Sequence, residues 1–210
     1  MAISSLSKFT VPLDGTGQSA QSQGLLMPKL KYRYRVVFIG FGAGNDTHEL
    51  TKQVMTAGRP GVQFENMELA VYNSKINYAG RYTWAEVQLV LRDDMTNAVS
   101  KLVGQQIQKQ FDFFEQSSAS SGADYKFQTN IEILDGGNGA YAPNVLERFE
   151  LFGCYLQNTV YAQADYKTSE PLDITLTLKY DNALQTDSSG NNVGIGTAVG
   201  RTLAQLALGA

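Results

Sequence analysis

Very little in this chain of 210 residues is suited to chemistry: it has one Cys, one His, one Trp and five Pro. A single Cys154 excludes an intramolecular disulfide, and its place in a strand-like run, Phe149 to Leu156, suits a small buried side chain better than a nucleophile. A single His48 excludes multi-histidine metal sites and leaves a catalytic triad with only one possible base. No apolar run approaches the length of a membrane span, and the first ten residues lack the apolar stretch of a secretory signal. Charged residues make up 18% of the chain with a net charge of −3, so the basic face that a general nucleic-acid binder uses to neutralise phosphates is missing. No metal, cofactor or catalytic constellation is expected, and the chain reads as a non-enzyme.

What the chain does have is 20 Gly, 10% aromatic residues and repeated two-residue alternation, the pattern of a mainly β (α+β) domain. Tyr32, Tyr34, Val36 and Phe38 alternate with Lys31, Arg33, Arg35 and Val37, which predicts a half-buried strand with its charges outward. Tyrosines and basic residues then lie on opposite faces and cannot form one stacking-plus-phosphate platform. Gly40-Phe41-Gly42-Ala43-Gly44 follows as a mobile turn; its glycine spacing and the lack of an apolar helix after it exclude a dinucleotide loop. A second strand is expected over His48 to Thr56, with Ala57-Gly58-Arg59-Pro60-Gly61 as punctuation.

One amphipathic helix is predicted. Asp93, Asp94 and Thr96 offer caps, and Met95, Ala98, Val99, Leu102, Val103, Ile107, Phe111 and Phe114 form an apolar stripe opposite Asn97, Lys101, Gln105, Gln108, Lys109 and Asp112. The Ser-rich run from Ser117 to Gly122 ends it. Strands are expected at Tyr125 to Leu134, Arg148 to Leu156 and Leu172 to Tyr180, the last with Leu172, Ile174, Leu176 and Leu178 inward and Asp173, Thr175, Thr177 and Lys179 outward. Asp135-Gly136-Gly137-Asn138-Gly139 is a turn, and residues 161 to 171 form a loop. Residues 14 to 24 are too rich in Gly, Ser and Gln to offset ordering entropy, and Thr202 to Leu208 suits a short helical end. The organisation expected is an N-terminal arm at 1–29, a β domain at 30–184 and a C-terminal extension at 185–210.

The most informative stretch is Asn73-Ser-Lys-Ile-Asn-Tyr-Ala-Gly-Arg-Tyr-Thr-Trp84. Leu69, Val71 and Tyr72 lead in, Ala79-Gly80 offers a bend, and Trp84, Val87, Leu89 and Leu91 lead out, which predicts a long protruding hairpin. Ile76, Tyr78, Tyr82 and Trp84 give it apolar surface that a monomer would have to hide, so it is expected to lie on another subunit.

With the strand Val87-Gln-Leu-Val-Leu91, the Asp93-Asp94 helix start, the Phe149-Glu-Leu-Phe-Gly153 strand and the closing Leu172-Asp-Ile-Thr-Leu-Thr-Leu-Lys-Tyr180 strand, that hairpin resembles the tail tube proteins of contractile-tailed bacteriophages over about residues 30 to 182. The resemblance implies an antiparallel β-barrel or sandwich subunit that forms hexameric rings, stacked into a hollow tube through which phage DNA passes. It implies as partners further copies of the chain, the tail sheath protein, baseplate and tail terminator proteins and the tape measure protein. DNA would be in transit without specific binding, with no cofactor and no membrane insertion, in a virion assembled in the host cytoplasm. The expected inter-ring hairpin residues are Asn73, Lys75, Ile76, Asn77, Tyr78, Gly80, Tyr82 and Trp84. The expected lumen-lining residues, taken from polar strand faces, are Glu86, Gln88, Gln128, Asn130, Glu132, Asp173, Thr175 and Thr177, with Lys126 and Lys179 sharing two of these faces. The inner tube of a tailocin or type VI secretion system fits the same architecture. A monomeric small-ligand-binding β-barrel with the hairpin as lid is the reading from another class.

Overall fold

The computed structural model describes residues 28–43, 47–136 and 142–198. The expected N-terminal arm and C-terminal helical end lie almost wholly outside these residues. Residues 28–33 belong to a unit of their own, in which the Arg33 guanidinium lies 5.5 Å from the centre of the Tyr32 ring. The second unit begins at Tyr34.

That unit is mainly antiparallel β, as expected. Its strands are β1 (Tyr34–Ile39), β2 (Val54–Ala57), β3 (Val62–Val71), β4 (Ser74–Trp84), β5 (Val87–Arg92), β6 (Phe111–Asp112), β7 (Ser117–Ser118), β8 (Phe127–Leu134), β9 (Val145–Tyr161), β10 (Asp173–Lys179) and β11 (Asn182–Thr186). Among the described residues three helices, α1 (His48–Gln53), α2 (Ala98–Gln110) and α3 (Gly122–Tyr125), are set between them. The main sheet runs β1-β8-β9-β10-β5-β2, with β11 pairing β9 off this path. β11 carries the sheet past residue 184, because Gln185 and Thr186 pair with Phe149 and Arg148.

The long strand β9 divides this sheet into two layers. Up to Leu151 its odd-numbered residues face inward, Phe149 and Leu151 being buried; after Gly153 the even-numbered Cys154 and Leu156 are buried instead. The first half pairs with β8 and β11, the second with β10. The phase change needs Gly153. Its φ is +67°, and a Cβ there would meet Asp181 Oδ2 at 2.2 Å and Asp181 Cγ at 2.8 Å. Inward residues of both layers share one core. Val36, Phe38, Phe127, Ile131, Phe149 and Leu151 come from the first layer, and Leu89, Leu91, Ile174, Leu176 and Leu178 from the second.

Several local expectations change. His48–Gln53 is a helix and only Val54–Ala57 is a strand, because residues 48–53 have no two-residue alternation. A single inward Leu50 and a Glu49–Lys52 pair three residues apart at 2.6 Å suit a turn of helix. The amphipathic helix starts at Ala98, where Asp94 Oδ1 accepts the Ala98 N–H at 3.0 Å, and ends before the extended Phe111. Met95 and Phe114 therefore stand in water rather than in the apolar stripe, whereas Val99 and Val103 are fully buried. Leu172 is also exposed, since the pairing of β10 begins at Asp173.

The Gly40–Ala43 turn is held in place rather than mobile. Phe41 is fully buried against Phe38 and Phe127, and the Gly42 N–H donates to Gln106 Oε1 at 2.9 Å. Gln106 is itself fully buried and donates through Nε2 to the Tyr125 carbonyl at 2.6 Å. Gln110 fastens the end of α2 to β9 by exchanging two hydrogen bonds with the Leu156 backbone, at 2.8 and 2.9 Å. These two glutamines satisfy backbone groups at irregular points where no ladder reaches.

Candidate functional site: a protruding ribbon and two polar sheet faces

β3 and β4 form a two-stranded ribbon that pairs with no other strand among the described residues. Their register runs from Val62↔Trp84 at the base to Val71↔Ser74 at the tip. The reversal is at Tyr72-Asn73, with Tyr72 at φ +51°, and not at Ala79-Gly80. Gly80 has a different duty. It lies where the register slips between Phe64 and Asn66, and a Cβ there would touch the Glu65 carbonyl oxygen at 3.0 Å.

That bulge decides which way the apolar groups point. Along β3, residues 62, 64, 66, 68 and 70 share one face and 63, 65, 67, 69 and 71 the other. Below the bulge the first face is apolar, with Val62 and Phe64 opposite Trp84 and Tyr82. Beyond it the same face is polar: Asn66 Nδ2 donates to Asn77 Oδ1 at 3.1 Å, and Lys75 Nζ pairs with Glu68 Oε1 at 2.7 Å. The second face reverses this order, becoming apolar only in the distal half, where Met67 and Leu69 stand opposite Tyr78 and Ile76, next to Val71.

The eight hairpin residues expected from sequence are therefore not one surface. Trp84 is half-buried, its ring 5.5 Å from that of Tyr180, and Tyr82 packs edge-on to Trp84 at 5.9 Å. This pair anchors the ribbon to its own core. Ile76 and Tyr78 lie on the opposite face at the far end, about half exposed. Asn73 is in the reversal, Lys75 and Asn77 are on the polar distal face, and Gly80 is at the bulge. Sequence reasoning missed Met67, whose place in the series Met67, Leu69, Val71 was the available signal.

The candidate lumen residues fall into two groups. Gln128, Asn130 and Glu132 share the outward face of β8 in the first layer; Gln88 with Asp173, Thr175 and Thr177 share that of β5 and β10 in the second, with Glu86 at its edge. Since both layers turn their inner faces to one core, the two groups point away from each other.

Neither face is simply acidic. Glu132 is only 3% exposed, clasped by Arg35 Nε at 2.7 Å on Oε2 and Arg148 Nε at 2.8 Å on Oε1. Cross-strand register puts the three residues side by side, and Arg148 extends the row toward Glu150 at 3.6 Å. Glu132 is thus a structural carboxylate and not an open repelling charge. Glu86 pairs with Lys179 at 3.4 Å, and Asp173 stands opposite Arg92. Thr177 is buried despite its outward phase, between Gln88 and Asn158. The only Cys of the chain, Cys154, is buried, and burial pushes its thiol up to about 11, which suits the inert role expected of it. His48 is exposed at the start of α1. Among the described residues no group of three or more His, Cys, Asp or Glu could hold a metal ion, and no helix is long and apolar enough to cross a membrane.

No family model matches the sequence, nor does any curated protein. Solved structures match the fold. A chain of the anti-feeding prophage baseplate superposes with a TM-score of 0.56 at 12% identity, over 78% of this chain and 99% of its own. A chain of the tube-terminating cap of the same prophage gives 0.57 at 13%, over 80% and 97%. A chain of the extended PVC sheath–tube complex, an extracellular contractile injection system, gives 0.53 at 11%, over 76% and 92%. At these identities the likeness is one of architecture: the chain has the antiparallel two-layer fold found in subunits of a baseplate, a tube cap and a sheath–tube complex.

Proposed function

We propose that this chain is the inner-tube subunit of a contractile injection particle and, within that class, the tail tube protein of a contractile-tailed bacteriophage. Its copies form hexameric rings, and the rings stack into a hollow tube inside the sheath. The observation that carries this reading is the protruding ribbon, whose distal apolar side chains Met67, Leu69, Ile76 and Tyr78 stay about half exposed among the described residues. Exposed apolar area on a long, unpaired ribbon is a liability in a monomer and an interface in an assembly. The fold likeness to subunits of a tube cap and a sheath–tube complex points the same way.

The outward face of β5 and β10 is the better candidate for the bore, since it gathers five of the eight polar residues expected there. Its charges are balanced: Glu86 offsets Lys179, and Asp173 stands against Arg92. A wall whose Lys and Arg are matched in number by carboxylates has no net positive charge to draw in a passing phosphate backbone, so DNA slides without being held. Sheath, baseplate, terminator and tape measure proteins are the remaining partners of this reading, and the assembled tail, built in the host cytoplasm, is its location.

Negative-stain electron microscopy of the purified chain over a range of concentrations tests the proposal. Rings or rods with a stain-filled bore are expected; single-subunit particles at every concentration would refute it in favour of a ligand-binding barrel. The likeness to an extracellular injection system supports a second reading, a headless tailocin-like particle. Particles isolated from the producing cell separate the two: DNA-filled heads on the tails identify a phage, headless tails the alternative.

A further inference from the structure

The ribbon has a second apolar face, at its base, that its distal one does not account for. Val62, Phe64 and Tyr82 line the same side as Trp84, and the ring of Trp84 lies 5.5 Å from that of Tyr180. That contact fixes the direction: the proximal face looks toward the body of its own subunit, and the distal apolar face looks away from it. Trp84 is half-buried in this way, whereas Phe64 and Tyr82 stay 61% and 57% exposed and Val62 38%. None of these four side chains carries a charge.

The chain comes back to this side after β10. Tyr180 follows the last residue of β10, and β11 continues from Asn182. Residues 192–197 then fold back along β11: the Val193 N–H donates to the Gln185 carbonyl and the Gln185 N–H to the Ile195 carbonyl, both at 2.8 Å. Gly196 lies against Leu184, where a Cβ would meet Cδ2 at 2.6 Å, and the Thr197 hydroxyl donates to the Asn192 carbonyl at 3.2 Å. Gly196 is thus fixed beside a residue only four places after Tyr180. At strand spacing this leaves Ala198 roughly 20 Å from the Trp84 ring. Leu206, eight residues further on, can lie up to roughly 27 Å from Ala198, so the gap is within reach. Residues 199–210 lie outside the described ones, but their sequence suits the face. Thr202-Leu-Ala-Gln-Leu-Ala-Leu208 is uncharged, and Leu203, Leu206 and Ala207 stand three and four places apart. A helix of this length is marginal without a surface to pack on. We infer that residues 202–208 of the same chain lie on the proximal face of the ribbon, Leu203 and Leu206 covering Phe64 and Tyr82. The contact is made within one subunit, whether or not subunits assemble. It ties the ribbon base to β11 as well as to Tyr180, and leaves the distal face as the open apolar side of the ribbon.

Disulfide trapping in the full-length chain, kept below the concentration at which it assembles, tests the contact. Phe64→Cys with Leu206→Cys is expected to close a bond within the chain under mild oxidation, seen as faster migration in a non-reducing gel; Cys154 is buried and stays out of the exchange. Met67→Cys with Leu206→Cys puts the first thiol on the opposite side of the ribbon at nearly the same separation in sequence, and is expected to give none. No bond from the first pair, or equal yields from both pairs, would overturn the inference. So would a first-pair bond that links two chains, which makes a second copy the occupant. Leu203→Asp with Leu206→Asp supplies an independent readout. Trp84 is the only Trp of the chain, so its emission reports on the proximal face. With circular dichroism showing an intact fold, that emission is expected to move to longer wavelength and to be quenched more readily by acrylamide. Emission and quenching identical to those of the parent would also overturn the inference, and if this variant does not fold the disulfide pairs decide alone.

Discussion

Replacing Gly153 by Ala tests the structural reasoning at its most demanding point. An L-residue held at φ +67° costs about 1–2 kcal/mol in the left-handed region. The new methyl would also lie 2.2 Å from Asp181 Oδ2, 2.8 Å from Cγ and 3.2 Å from Cβ, so the Asp181 side chain must swing away as a whole. Its partner, Lys126 Nζ at 2.6 Å, then loses the ion pair, a small loss because both side chains reach solvent. Together these put the destabilisation at about 2–3 kcal/mol, with most of it from backbone strain and the displaced carboxylate. For a domain of this size that corresponds to roughly 4–12 °C in Tm, read by thermal or urea unfolding at concentrations below assembly. Gly153→Ala combined with Asp181→Ala should recover the collision part and retain about 1–2 kcal/mol of backbone cost. If Gly153→Ala unfolds within 0.5 kcal/mol of the parent, β9 does not change layers through a left-handed residue, and the two-layer description fails.

Other predictions concern charge and protonation. Glu132→Ala leaves Arg35 and Arg148 facing each other across β8; since both reach solvent, a loss of about 1–3 kcal/mol in urea unfolding is expected, and an unchanged midpoint would show the clasp to be ornamental. Cys154 and Tyr180 are both held neutral by burial, at about 11 and about 12. Each group, once unfolded, gives up its proton at a lower pH than in the fold, so the contribution of these two groups is constant below about pH 9 and is lost as pH rises toward 11 to 12, which an unfolding series in alkaline pH checks. In the same protein, Cys154 should resist iodoacetamide when folded and react fully in urea; rapid labelling of the native chain would contradict its burial.

The sequence made the regular parts of the fold legible, because burial on one face imposes a period. β10 alternates from Asp173 to Lys179, and the first half of β9 does the same. What escaped was set by single residues that break a period. Gly153 shifts the phase of β9 in mid-strand, so the inward set after it cannot be counted forward from Phe149. Gly80 looks like a turn residue and is a bulge, while the turn sits at Tyr72-Asn73, whose composition does not single it out from its surroundings. The hairpin was thus found and its two faces were not. Glu132 illustrates the limit for the polar faces: an outward phase and a carboxylate suggested an open charge, and only register with Arg35 and Arg148 on neighbouring strands reveals a closed one.

The way the ribbon enters the sheet has a mechanical consequence. β4 continues into β5, and β5 is an interior strand, hydrogen-bonded to β10 on one side and β2 on the other. Tension applied to the ribbon therefore loads two ladders at once and along their length, so that many bonds must shear together. A ribbon attached to an edge strand would instead be peeled away one bond at a time. Pulling on the ribbon along β5 is thus resisted by bonds loaded in parallel and not one after another.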